Sequence, residues 1–176
     1  MDCKKLKKLE IIGAIAVVVG SFLFHFLFEW TGGNRVIALV SAVNESIWEH
    51  VKIVFFPYLI FTIVEYFILK PDLTRYLAAK MTGLVFIPLA MISFYYTYSG
   101  ILGFRITALD IASAVVWSIL AFVISYKMYC SNLKIEKIAG WMTAIGIIFT
   151  LMLFFFTYFP PHIALFQDGL TGQFGI

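Results

Sequence analysis

The sequence predicts an all-α integral membrane protein with five transmembrane helices, an interfacial helix and a C-terminal plug. Three observations carry that expectation. Of the 176 residues, 62% are hydrophobic and 13% charged, and the mean hydropathy is +0.96; ordinary soluble domains are about half apolar and a quarter charged. The 19 Phe, 9 Tyr and 4 Trp exceed what one small aqueous core can hide. The apolar residues also fall into five runs, each near the roughly 20 residues a helix needs to cross the hydrocarbon. The same numbers exclude disordered, collagen-like, coiled-coil and nucleic-acid-binding chains, so no nucleic-acid partner is expected. Lipid leaves every backbone group to be satisfied within the protein, so unbroken apolar runs mean helices.

The first run covers residues 9–28 and follows Lys4, Lys5, Lys7 and Lys8. It imitates a signal peptide, but it ends in Phe24, Phe26, Phe28 and Trp30 without a small-residue cleavage site, so it reads as an uncleaved span. Runs at 53–69, 81–98, 109–126 and 138–159 follow through short connections, and the whole of 1–176 reads as one membrane domain. Gly13, Gly20, Gly140 and Gly146 read as close-packing positions. Thr107 and Asp110 suggest a capping box at the start of the fourth span.

Basic residues set the orientation. With the N-terminus inside a bacterial cytoplasmic membrane, Lys4, Lys5, Lys7, Lys8, Lys70, Arg75, Lys80, Lys127, Lys134 and Lys137 are inside, ten of the thirteen, and the C-terminus is outside. Tyr95, Tyr96, Tyr98 and Trp30 then belong to an outer aromatic belt, and Tyr126, Tyr129 and Trp141 to an inner one. Cys3 and Cys130 both fall on the reducing side, so no disulfide is expected. Residues 35–52 are the exception to a simple span pattern. Val36 to Val43 is apolar but short, and Asn44, Glu45, Trp48, Glu49, His50 and Lys52 follow without a break. A Glu or Lys at the centre of a span costs about 3 kcal/mol. The segment therefore reads as an interfacial helix bending into the second span, with Pro57 available as a kink. A sixth full crossing here inverts everything downstream and breaks the charge rule.

In this layout all three histidines and several carboxylates gather at the outer ends of the helices. Ionisable groups at membrane depth are costly and mark function. His25 and Glu29 are four residues apart on one face, with Ser21 a turn earlier. Helical geometry puts Glu45 and Glu49 on one face near Lys52, and His50 about 100° away. After Pro160 and Pro161 stop the last helix, His162 starts an apolar tail that can fold back, with Asp168 at a turn. Glu65, near the inner end of the second span, is expected to reach the interface or pair with a base there.

Three function classes fit these residues. In the first, His25, His50 and His162 hold a divalent metal, zinc foremost, and Glu45 or Glu49 acts as general base on a bound water. Glu29, Asn44, Trp48, Lys52 and Asp168 complete the pocket, and the substrate is a membrane lipid or a small molecule at the outer leaflet. In the second, the chain is a solute-binding or transport subunit, similar in size to the substrate-binding subunits of energy-coupling-factor vitamin transporters. In the third it is structural, and the polar cluster only ties helices together.

The strings Asn44-Glu45-Ser46-x-Trp48-Glu49-His50-x-Lys52 and Pro160-Pro161-His162 through Phe166-Gln167-Asp168-Gly169-x-Thr171-Gly172 resemble those of a family of small multispanning bacterial membrane proteins known only as a domain of unknown function. That resemblance extends over essentially the whole chain and implies an integral membrane protein without naming a reaction. In style alone, the histidines near one face are similar to those of alkaline ceramidases and adiponectin-receptor-like zinc hydrolases, although the spaced His-x-x-x-His pair of those proteins is absent.

Overall fold

The computed structural model describes residues 3–176. Its helices are α1 (Cys3–Trp30), the short α2 (Arg35–Ala38), α3 (Ile47–Leu69), α4 (Leu73–Leu102), α5 (Thr107–Tyr129) and α6 (Ala139–Tyr158), with 3-10 turns at Ile135–Ile138 and Ala164–Phe166. Five helices are long and apolar enough to cross a membrane, and each contains one of the expected runs or nearly all of it. Short links alternate between two ends of the bundle. One end carries the start of α1 and the links at 70–72 and 130–138, and is rich in lysine. The other carries 31–46, 103–106 and the tail after α6, and holds the histidines.

The central helices are α3 and α4. Over their most apolar stretches 56% of each is buried, against 11–17% for α1, α5 and α6, which turn Ile11, Ile15, Phe22, Val116 and Phe155 outward. Lipid is as apolar as these side chains, so helix association rests on close packing rather than on a hydrophobic drive. Phe55, Tyr58, Ile87, Ala121, Phe122 and Leu153 make the centre of that packing. Gly13 is required there, because a Cβ would come within 2.4 Å of Phe61 and 2.6 Å of Phe122, whereas Gly140 faces open space and packs against nothing.

Lys70 in the left-handed conformation ends α3, Asp72 caps α4 by accepting from Arg75 N at 2.8 Å, and Gly103 ends α4 at φ 78°. Pro57 and Pro88 lie inside α3 and α4. The expected helix over 35–52 is instead broken. Asn34 caps α2, which stops at Ala38, and residues 39–46 form a turn before α3 begins. Polar side chains hold that turn: Ser41 Oγ accepts from Phe28 N at 3.0 Å, and Asn44 Oδ1 from Ser46 N at 3.0 Å. Ser46 then caps α3, accepting from Glu49 N at 3.3 Å. Such local side-chain bonds compete with helix and favour turns and caps.

The expectation of free cysteines is also corrected. Packing α1 beside α5 brings Cys3 and Cys130 to a Cα separation of 6.1 Å, and they form a disulfide at the lysine-rich end. Two of the basic residues assigned to that end are structural rather than solvated. Arg75 donates to the carbonyls of Tyr129, Leu133 and Ser131 and pairs with Glu136 at 2.6 Å, which fixes the 130–138 link. Lys80 is buried inside α4, where it pairs with Glu65.

Candidate metal centre and its cavity

Glu45 sits in the turn just before the Ser46 cap, and His50 lies in the first turn of α3. The cap decides their geometry. Because α3 starts at Ile47, Glu45 does not share the helical face of Glu49 but swings to the other side. Its Oε2 is 3.5 Å from His50 Nε2, and its Oε1 is 3.6 Å from His25 Nε2 on α1. The imidazole centroids are 5.4 Å apart. His50 Nδ1 lies 2.8 Å from the Ser46 carbonyl, which can only accept, so Nδ1 carries a proton and Nε2 is the nitrogen that faces Glu45.

The 3.5 and 3.6 Å gaps are too long for N–H···O hydrogen bonds. They lie near the edges of a coordination sphere, where ligands at 2.0–2.1 Å from a tetrahedral zinc stand about 3.3–3.4 Å apart, but they run from the two different oxygens of Glu45, so the group would close in to hold one ion. Among the described residues His25, Glu45 and His50 are the group able to hold a metal ion, with ligand atoms all within 4.8 Å. Two imidazoles and a carboxylate leave a fourth position open, as catalytic zinc sites do.

The group forms part of the wall of a cavity of about 250 Å³. Phe22, Phe26, Ile53 and Ile111 give it apolar sides, and Ser21, Arg105, Asp110 and Gln167 give it polar ones. Arg105, from the α4–α5 link, lies so close to Gly169 that a Cβ there would stand 2.0 Å from its Nη1. Asp110 accepts from the Tyr98 hydroxyl, and Ile106, the residue at the N-cap of α5, offers no side-chain cap, so the expected capping box does not form.

The tail braces the site. Asp168 Oδ2 accepts from Glu45 N at 3.1 Å, while Oδ1 accepts from Leu170 N at 2.6 Å and Thr171 N at 2.8 Å. Burial pushes the Asp168 carboxyl up, but the N–H groups of Thr171, Glu45 and Leu170 outweigh it and hold the group below its ordinary range. Asn44 Nδ2 donates to Gly175 O at 3.0 Å. Phe166 plugs the end of the bundle against Trp48 and Phe156.

Other expected site residues lie elsewhere. His162 is exposed, its ring stacked at 4.6 Å on Phe174, and is not brought to His25 and His50. Glu29 is exposed, and Glu45 takes the place beside His25. Glu49 faces the bundle: it pairs with Lys52 and accepts from Val43 N at 3.1 Å. Lys52, wholly buried, also donates to Ala38 O at 2.8 Å and Thr157 Oγ1 at 2.9 Å. Trp48 is core. Arg105 is the cavity residue least visible in sequence, where nothing separates it from a lysine or arginine at a lipid headgroup.

Helices of this length enclosing a histidine–carboxylate group at one end define an all-α protein of membrane-spanning type with a candidate cation site. The chain belongs to the family of unknown function DUF6512, whose family model matches residues 1–176. No curated protein and no solved structure matches it.

Proposed function

We propose that this is a metal-dependent hydrolase of membrane lipids, with His25, Glu45 and His50 as ligands of one zinc ion at the outer leaflet. The observation that carries this reading is the placement of one carboxylate between two imidazole Nε2 atoms at coordination-edge rather than hydrogen-bond distances, in a cavity wall. A zinc ion bound there supplies Lewis acidity and a bound water ionising near pH 7. The chain does the rest. The Ser46 carbonyl fixes the His50 tautomer, and Asp168 fixes the Glu45 backbone, the kind of outer-shell support that metal ligands require. Arg105 offers a planar donor fork for an anionic headgroup, and Phe22, Phe26 and Ile111 line the side suited to an acyl chain. Glu49, held by Lys52, positions α3 and is not placed to move a proton in the cavity.

Elemental analysis of the detergent-purified protein tests the reading. One zinc per chain is expected in the wild type, lost in His50→Ala and His25→Ala and kept in His162→Ala. Failure of the wild type to retain zinc, manganese or iron after loading and dialysis overturns it, as does metal retention that ignores both histidines. Release of fatty acid or headgroup from phospholipid vesicles by the loaded wild type, absent in His50→Ala, is the activity expected.

A further inference from the structure

A second ionisable cluster lies inside the bundle toward the lysine-rich end. Lys80 Nζ on α4 is 2.8 Å from Glu10 Oε2 on α1 and also contacts Glu65 Oε2 on α3. None of the three residues is more than 4% exposed. Tyr76 donates to Glu65 Oε2 at 2.9 Å, Ser125 on α5 donates to Glu10 Oε1 at 2.8 Å, and the Phe122 ring lies 4.9 Å from Lys80 Nζ. Tyr58 donates to the Lys80 carbonyl at 3.4 Å. Lys7, exposed one turn before Glu10, makes no ion pair with it among the described residues.

Two carboxylates against one ammonium leave an uncompensated negative charge where desolvation is most costly. Three of the four carboxylate oxygens already receive a donor. Glu65 Oε1 is buried and receives none, and Thr62 Oγ1, one turn earlier on the same helix, is likewise buried without a partner. A proton on the cluster cancels the excess charge, and Glu65 Oε1 is the carboxylate oxygen of the three residues that no donor already occupies. Glu10 lies at the edge of the cluster, where it lines an apolar groove between α1 and α5 that also reaches Lys7.

We propose that Glu10, Lys80 and Glu65 form a proton-binding site, in which one exchangeable proton is held at Glu65 Oε1. It stands independently of the metal reading. Infrared spectroscopy of the full chain in lipid nanodiscs tests it. At neutral pH the wild type should show the C=O stretch of one protonated carboxyl per chain, which shifts in D2O because the proton exchanges and fades as pH rises while the protein stays folded. Glu65→Gln should abolish the band and Glu45→Gln should leave it. Glu10→Gln removes the second carboxylate, leaves Glu65 and Lys80 as a neutral pair and should also abolish the band, and that variant with the isotope shift decides the matter if Glu65→Gln does not fold. Absence of the band, a band unmoved by both D2O and pH, or a band kept in Glu10→Gln overturns the proposal.

Discussion

Glu45, Glu49 and Glu29 carry the same carboxylate into three different surroundings. Glu45 stands between two imidazoles, Glu49 is locked in a buried ion pair, and Glu29 is exposed. Breaking a buried pair on one side is more damaging than replacing both partners. Lys52→Met should therefore lower stability by about 3–5 kcal/mol in chemical denaturation, while Glu49→Leu combined with Lys52→Met should recover most of that loss. Gly169→Ala tests the cavity's cation, because the new methyl would displace the Arg105 guanidinium. It should weaken retention of anionic lipid in native mass spectrometry and leave the zinc content unchanged. At this scale the sequence singled out His25, Glu45 and His50 without joining them, since it set Glu45 beside Glu49 and turned His50 away. A stripe four residues apart suggested Glu29 for His25, yet a residue from a distant turn occupies that place.

At the scale of elements, the turn at 39–46 and the tail at 159–176 act together, since Asp168 holds Glu45 and Asn44 holds Gly175. Asp168→Asn should reduce zinc affinity about 10–100-fold, the usual effect of losing an outer-shell partner, read by competition with a chelator. The same carboxyl predicts a pH effect. Its folded-state ionisation lies below the ordinary value of 3.8, so the stabilisation it gives is complete above that value and is lost as pH falls through the depressed one. Melting temperature should drop across that acid range in the wild type, and less steeply in Asp168→Asn. The tail's apolar run made its folding back legible. The break in the 35–52 segment was not, because Ser41 turns the chain only when the Phe24 carbonyl and Phe28 amide of α1 stand within reach, and Asn44 is held by Gly175 from the tail.

For the whole molecule, the Cys3–Cys130 bond ties the start of α1 to the end of α5 across 127 residues of sequence. Non-reducing peptide mapping should find the linked pair, and reduction should lower stability by about 2–5 kcal/mol. Charge and redox chemistry pull this end in opposite directions, since lysines favour the cytoplasmic side and disulfides persist in oxidising compartments. By the lysine rule, a reporter fused to the C-terminus should signal from outside. A cytoplasmic signal would place the disulfide outside and the histidine cavity inside, and so reverse the leaflet on which the proposed hydrolase works.

Hydropathy and helix length are properties of contiguous residues, so the sequence by itself determined the all-α fold, the five membrane-length helices and the gathering of the histidines toward one end. Only the tertiary structure decided which polar group meets which. Glu10 and Lys80 read as parts of an apolar span and a basic loop until α1, α3 and α4 were packed side by side. His162 read as a ligand until the tail stacked it on Phe174. Pairing depends on how each helix is rotated and where its cap begins, and a shift of one residue turns a side chain by about 100°. That rotation is set by contacts between segments far apart in the chain.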